Sequence, residues 1–457
     1  SLLKSMFTAA SGMAAHSQAI SVVSDNIANV NTVGYKASRA RFEDVLGSTV
    51  AGAVENQASG QGVRLGGIHQ IYTQGSLIGS RLNTDMAIQG DGFFVVNGNF
   101  DGVVNNFYTR DGQFHINENG SLVNKKQLIV QGYIADNQGN LSSTLSDINI
   151  PMTAIIPPRP SSEIKLGSNL KPVNPSEFIK ELGSVDPTLP IDPVTNPVDP
   201  ASGFQLDDPE MTSHFSTSVT VYDTLGVSHN VNIFFNQTDE STWEWHGIVD
   251  GGELSDGLGG MLSGNYEIAN GTLVFNDHGH LQTETQSNNT FQFVNAEQDQ
   301  SINFDFGESI DEGGTGQGRV TQYDSPSSVS SLNQDGLSSG ALAGINVNID
   351  GNITGTFTNG ERRTLAAVAM CRFLNNDGLI RRDAGHYAAS PDSGHALMGL
   401  PGTGGRGTIS GNNLEQSTVE LSSEFVNIIS YQRGFQANSR TISTADQLLQ
   451  EAVNLKR

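Results

Sequence analysis

The sequence predicts a mainly β protein with α-helical termini: antiparallel, sandwich- or barrel-like domains inserted between an N-terminal and a C-terminal helix. Three observations carry this. Apolar residues recur every seven positions at both ends of the 457-residue chain. Short apolar or alternating runs fill the middle. Asx-Gly dipeptides separate many of those runs, and Asx-Gly between apolar runs is the strongest short-range hairpin signal.

The first helix rests on Met6, Met13, Ile20 and Ile27, with Ala9, Ala10, Ala14, Ala15, Ser17 and Ser21 between them. No proline interrupts it, and Gly12 is a modest cost. The β pattern then runs through Met86-Ala87-Ile88, Phe93-Phe94-Val95-Val96, Leu128-Ile129-Val130, Val219 to Tyr222, Val231 to Phe235, Ile345 to Ile349 and Leu365 to Ala369. Turns are expected at Asp91-Gly92, Asp111-Gly112, Asn119-Gly120, Asp335-Gly336, Asp350-Gly351, Asn359-Gly360 and Asp377-Gly378. Eleven of the 15 prolines lie between Pro151 and Pro200. Proline fixes φ and removes a donor, so this stretch reads as a crossing between domains followed by extended loop. The second helix rests on Leu414, Leu421, Ile428, Phe435, Ile442 and Leu449, again among small residues. A strict seven-residue repeat favours packing in a supercoil. A lone helix with so narrow a stripe is marginal in water. The ends are therefore expected to pair with each other, with copies of themselves, or both.

Charge excludes several functions. The chain carries 24 Lys+Arg against 48 Asp+Glu, a net charge of −24. Residues 176–320 hold 24 acidic and two basic side chains, so they account for −22 of that total. Nucleic acid and anionic membranes both demand basic surface, so neither is an expected partner. The acidic segment reads as a solvated surface domain, and none of it has the full ligand spacing of a calcium loop. Cys371 is the one cysteine, which excludes an internal disulfide framework or a Cys-rich metal site. No apolar run approaches the ~18–20 residues that span a bilayer. Ser1 to Phe7 lacks the layout of a secretory signal.

Catalytic motifs do not hold up. Gly336-Leu337-Ser338-Ser339-Gly340 has the letters of a nucleophile elbow without its strand–helix context. Gly402-Thr403-Gly404-Gly405-Arg406-Gly407 lacks the βαβ unit of a dinucleotide site. His278-Gly279-His280 reads as a hairpin turn rather than a chelate, and Cys371 as a buried strand residue. No acid, base and nucleophile come together, so neither an enzyme nor a cofactor is expected.

Ser24 to Lys36 is more specific. It contains Asn26-Ile27-Ala28-Asn29, then Thr32, Gly34, Tyr35 and Lys36. Asn29 and Asn31 can end a helix, and Gly34 can supply a turn. This block resembles the N-terminal signature of the bacterial flagellar axial proteins. The resemblance continues through Gly60-Gln61-Gly62-Val63, Thr73-Gln74-Gly75, Asp85 to Phe94, Tyr108 to Phe114 and Leu122-Val123-Asn124. It closes with Leu414 to Leu421 and Tyr431 to Asn438, so it covers the whole chain. Thr220 to Gly226 with His229, and the length of the acidic insert, resemble the hook-type members. A straight distal rod subunit is the alternative, and a β-rich surface adhesin a more remote one. The stretch from Pro172 to Glu210 does not align with the family pattern.

The resemblance implies a structural subunit of the extracellular flagellar hook, a flexible tube passing motor torque from rod to filament. It implies residues 1–30 and 412–457 as a terminal helical domain pairing in a coiled-coil-like inner layer. Residues 31–85 would be an extended link, 86–160 with 321–411 a first β domain, and 161–320 an acidic outer β domain. Free subunits would have disordered ends that order on assembly. The implied partners are copies of the chain in a helical tube, the hook cap, the distal rod and hook–filament junction proteins, and the flagellar type III export apparatus. Export would need no cleaved secretory signal.

Overall fold

A computed structural model describes residues 2–46, 60–100, 102–153, 155–174, 204–255, 261–297 and 299–454. The bulk of the Pro-rich stretch, 175–203, lies outside the described residues. The chain forms two compact units. Unit 1 holds 1–154, 342–357 and 361–457; unit 2 holds 155–341 with 358–360. Sequence reading drew the insert at 161–320. The contacts widen it, because the strand Ser328–Gln334 pairs antiparallel along Glu163–Asn169.

Unit 1 begins with α1 (Leu2–Ala28) and ends with α2 (Leu421–Asn454). The two helices pack on each other in antiparallel fashion. Gly12 lies against the Asn438 side chain, Gly434 against the His16 ring, and Asn26 bonds Glu424. The hairpin β1 (Ser38–Leu46) and β2 (Gly60–Gln70) follows α1. Its Phe42 ring sits 5.4 Å from His16 and 5.8 Å from Tyr431, tying hairpin and helices together.

The heptad reading needs correction at this level. Met6, Met13, Ile20 and Ile27 are only half-buried. The face of α1 that is buried carries Ala9, Gly12, Ala15, Ala19, Val22, Val23 and Asn26. Small residues let the two backbones approach closely, and the larger stripe residues are left at the flanks. Leu414 is not helical: it lies in the strand Asn413–Glu415, opposite Ile78 of Leu77–Gly79. Ile428, Ile442 and Leu449 are half-buried, while Leu421 and Phe435 are exposed.

The rest of unit 1 is an antiparallel sheet built around Phe93–Phe100. That strand pairs with Val103–Thr109, Ile129–Ile134 and Met370–Arg372. Phe94 and Val96 pack into one core with Met86, Ile88, Phe114 and Val130. Phe93 and Val95 pack into another with Tyr108, Cys371, Phe373 and Tyr387. Burial on both faces explains why Phe93-Phe94-Val95-Val96 does not alternate. Asp350-Gly351 and Asn359-Gly360 turn the chain between Gly340–Val347, Asn352–Phe357 and Arg362–Val368, as Asx-Gly predicts.

Unit 2 is a six-stranded antiparallel meander from Phe215–Tyr222 to Gln300–Ser301, in chain order, beside a four-stranded sheet around Glu163–Asn169. Trp243, Trp245, Phe235, Phe291, Phe304 and Phe306 fill its core. His278-Gly279-His280 is the turn between Asn265–Phe275 and Leu281–Phe291, with Asn276 accepting from the His278 and His280 amides.

Glu284 gives unit 2 a pH dependence. Burial, with Glu312 and Asp305 adding to it, raises its carboxyl to about 7 against the opposing Phe306 amide and Arg319. The folded state therefore holds a proton that the unfolded state has released above about pH 4.5. Stability falls as pH rises from about 4.5 to 7, and the full cost is present above 7. Glu284→Gln is expected to stabilise unit 2 by about 1–2 kcal/mol at pH 8 and by almost nothing at pH 4.5. Urea melts followed by Trp243 and Trp245 fluorescence, both in this core, test it. An equal effect at the two pH values would refute the assignment.

Candidate assembly site at the paired termini

The segment Asn26 to Lys36 joins α1 to its hairpin, and its side chains converge on a buried polar junction in unit 1. Asn26 is fully buried on the last turn of α1. Its amide nitrogen donates to the Ser38 carbonyl (2.8 Å) and to Glu424 Oε1 of α2 (3.0 Å). Its amide oxygen accepts from the Ser38 N–H (2.9 Å) and the Tyr35 hydroxyl (3.3 Å). One side chain thus ties the first helix, the hairpin and the second helix. Tyr35 also donates to Asp25 (3.1 Å) and lies under the Arg381 guanidinium, 5.1 Å from the ring centroid. Burial pushes the Tyr35 hydroxyl above its ordinary value.

The end of α1 follows its sequence. Asn29 donates back to the Asp25 carbonyl, and Thr32 donates to Asn29 Oδ1. Ala28 is exposed and Ile27 half-buried, so these two signature residues pack less than their neighbours. Gly34 has φ +68° and donates its N–H to the Glu415 carbonyl (2.8 Å). A Cβ there would stand 2.6–2.7 Å from the backbone of Arg110 and Asp111. Gly34→Ala should cost at least ~2 kcal/mol, from the left-handed backbone and that collision together. Thermal melts of the full chain measure it, and a loss below 0.5 kcal/mol would show that the junction can shift.

Lys36 ends the signature in a fully buried ion cluster. Its Nζ donates to Glu415 Oε1 (2.7 Å) and to the Thr73 carbonyl (2.6 Å). The same Glu415 oxygen accepts the Gly75 N–H (2.8 Å). Arg110 donates to the other Glu415 oxygen (3.3 Å) and to the Gly90 carbonyl (2.8 Å). Burial, reinforced by Arg110, pushes the Lys36 ammonium below its ordinary value, and Glu415 pulls it back. Two positive groups thus share one carboxylate, each also donating to one backbone carbonyl, while the Arg110 Nε is buried without a hydrogen-bond partner. Two further bonds close the junction: Thr418 N–H to the Tyr35 carbonyl and Ala37 N–H to Thr418 Oγ1.

Sequence reading named Asn26, Tyr35 and Lys36 but missed Glu415, Glu424, Arg110 and Arg381 as their partners. The available signal was chemical: a lysine ending a signature needs a buried anion somewhere, and Glu415 lies in the block that closes the resemblance. This junction has no catalytic logic. It fixes the angle at which two long helices leave a β body. Outside the junction the helices expose Leu3, Phe7, Leu421, Phe425, Val426 and Ile429. No helix among the described residues is long and apolar enough to cross a membrane. Long terminal helices with exposed apolar residues, anchored on the β body of unit 1, are the layout of a structural subunit rather than of a ligand-binding fold.

Comparison with known proteins narrows that class. Residues 6–36 match the flagella basal body rod protein model and 410–455 the flagellar basal body rod FlgEFG protein C-terminal model. Residues 87–164 match the flagellar hook protein FlgE/F/G D1 domain and 189–337 the flagellar basal body protein FlaE D2 domain. The chain is 30% identical to the flagellar hook protein FlgE of Treponema pallidum over all of both chains. It is 31% identical to that of Salmonella typhimurium over 98% of this chain and 99% of the relative. A crystal structure of Helicobacter pylori flagellar hook protein FlgE2 aligns with 74% of this chain and 100% of its own, at 16% identity and TM-score 0.47. The chain belongs to the flagellar hook protein (FlgE) family. It is a structural subunit of the flagellar hook, and relatives that align with it from end to end favour hook over rod.

Proposed function

We propose that α1 and α2 are the assembly domain of this hook subunit and form the innermost layer of a helical tube. The observation that carries the reading is the apolar surface left on the helix pair, at Leu3, Phe7, Leu421, Phe425, Val426 and Ile429. Burying one such side chain is worth roughly 1.5–3 kcal/mol, and neighbouring copies can supply that burial. The core between α1 and α2 is built largely from small residues, so the pair contributes little stability in a free subunit. Free subunits should therefore fray at both ends and order on assembly.

Unit 1 supplies torsional stiffness in this reading, through its doubly buried central strand and the ion cluster that anchors the helices. Unit 2 forms the acidic outer part, where like charge opposes fixed contacts and lets neighbours slide as the tube bends. The tube then works as a universal joint between rod and filament. The hook cap, the distal rod and hook–filament junction proteins, and the type III export apparatus are the partners this role requires. The chain has a single cysteine, buried in unit 1, so no internal disulfide hinders export in an unfolded form.

Negative-stain electron microscopy of the purified chain, concentrated under salting-out conditions, is the test. Curved tubes are expected. Straight rigid tubes would favour a rod-like role. Protease-resistant termini in a sample that forms no polymer would overturn the assembly reading.

A further inference from the structure

His386 is buried in unit 1, 3% exposed, at the start of the short strand His386–Ala388. That strand pairs with Tyr108 and Thr109 on one side and with Ile380–Arg381 on the other. The turn joining the two short strands, Asp383–Gly385, is a tight one. Ala384 and Gly385 both have left-handed backbones, at φ +57° and +74°. A non-glycine residue seldom rests there, so bonds from outside the turn must hold it. Thr109 supplies one, donating its hydroxyl to the Gly385 carbonyl (3.1 Å). The His386 ring supplies two more.

The neighbours of the ring fix its protons. Nδ1 lies 3.1 Å from the Asp383 carbonyl, which can only accept, so Nδ1 carries a hydrogen. Nε2 lies 2.8 Å from Asn124 Nδ2. The Asn124 amide is fixed in direction, because its oxygen accepts the Lys126 and Leu128 N–H groups at 3.0 Å each. Its nitrogen therefore donates, and Nε2 must be a bare lone pair. The imidazole is neutral, with Asn124 buried beside it and the Phe100 ring 5.3 Å away. The charged groups facing it are Asp111, Lys126 and Asp383. Lys126 pairs with Asp383 (3.4 Å), and Lys125 lies 3.9 Å from Asp111. Burial holds the ring below its ordinary value against the Asp383 carbonyl and Asp111; Lys126 adds to burial and the Asp383 carboxylate opposes it.

A proton on Nε2 would set N–H against N–H. Asn124 could turn to meet it only by giving up two backbone bonds, so the ring would have to leave its site. The turn leads directly to Arg381, which pairs with Tyr387 in the strand register. The Arg381 guanidinium covers Tyr35 and reaches Asp25 Oδ2 (3.4 Å). We propose that His386 is a proton-sensitive lock: its neutral form holds the turn that places Arg381 over Tyr35, and protonation releases that hold on the end of α1. The lock acts within one subunit and needs no assembly. The unfolded ring takes up a proton that the folded ring refuses. Its stabilisation is therefore complete above pH 6.5, the ordinary value for the group, and is lost as pH falls below that.

The test uses the full-length subunit with ¹⁵N-labelled histidine. The His386 signal is the one lost in His386→Gln or, if that variant does not fold, the one that moves in Asn124→Asp. At pH 7.5 it should show a protonated Nδ1 and a bare Nε2. From pH 7.5 to 5.5, hydrogen-exchange protection, corrected for intrinsic rate, should fall several-fold in His386–Ala388, Ile380–Arg381 and Tyr35. The fall should not exceed about tenfold per pH unit, the limit for one proton. It should be confined to unit 1, since Glu284 drives unit 2 the other way. His386→Gln presents a carbonyl oxygen to Asn124 and takes up no proton, so it should lose this pH dependence. Asn124→Asp keeps both backbone bonds and turns a carboxylate oxygen to Nε2. His386 should then hold its proton, and the loss in acid should vanish.

A protonated Nε2 at pH 7.5 in the unsubstituted chain would overturn the lock. So would a loss in acid of the same size in either variant. A loss confined to the two short strands, with Tyr35 unmoved, would overturn the link to α1.

Discussion

Glu415→Gln is expected to destabilise unit 1 by about 3–5 kcal/mol, the cost of removing one partner from a buried ion pair. Glu415 and Lys36 have fully buried side chains, and that of Arg110 is 4% exposed. Glutamine keeps the shape and leaves one acceptor oxygen, but the anion that pairs with both buried cations among the described residues is gone. Arg110 cannot shed its charge, and Lys36 can do so only at a cost. The loss should appear as faster hydrogen exchange across Phe93–Phe100 and its partner strands, with Trp243–Val249 of unit 2 as an unaffected internal control. Replacing the cluster together, by Lys36→Met, Arg110→Met and Glu415→Leu, should recover much of the stability, because no charge is then left unpaired. Subunits with that triple change would test whether the cluster serves geometry as well as stability. A single-variant loss below about 1 kcal/mol would mean that water reaches the cluster.

Asn26→Leu should cost about 3–5 kcal/mol locally and detach the helices from the hairpin. The substitution is close in volume, so packing changes little. It strands the Ser38 N–H, the Ser38 carbonyl and the Glu424 carboxylate, each formerly satisfied by one amide. An orphaned buried polar group costs about 1–3 kcal/mol. Exchange should accelerate in β1, β2 and the first turns of α2, and hook assembly should fail even where the β body stays folded. Asn26→Asp would place a second carboxylate against Glu424. Their repulsion raises the carboxyl pKa in the folded state, so stability is present at low pH and lost as pH rises. That variant should be partly rescued at about pH 4 relative to pH 7. If both variants assembled hooks normally, the junction could not be what sets the helix direction.

Much of this was legible in the chain because local chemistry wrote it there. Asp350-Gly351 and Asn359-Gly360 specify tight turns by their own backbone preferences. Val231, Ile233 and Phe235 alternate onto the core face of their strand, while Phe234 is buried on the other. The Asn26 to Lys36 block was visible as a signature, and its Asn29–Thr32 helix end reads correctly from local hydrogen bonds. The seven-residue stripes placed both helices, with the exception of Leu414. That residue shares the spacing of the stripe but pairs as a strand with Ile78, and only a long-range partner could take it out of the helix.

The sequence by itself determined the secondary-structure class, the helical termini, the acidic insert and the kinship to flagellar hook proteins. Each of these depends on residues near one another in the chain or on composition. The tertiary structure decided which helix face is buried, because close approach selects Gly12, Ala15 and Ala19 over the larger Met13 and Ile20. It also decided that Lys36 answers to Glu415 across 379 positions and Asn26 to Glu424 across 398. Such pairings leave no periodic trace, since a buried charge specifies only that an opposite one must meet it, not where along the chain that partner stands.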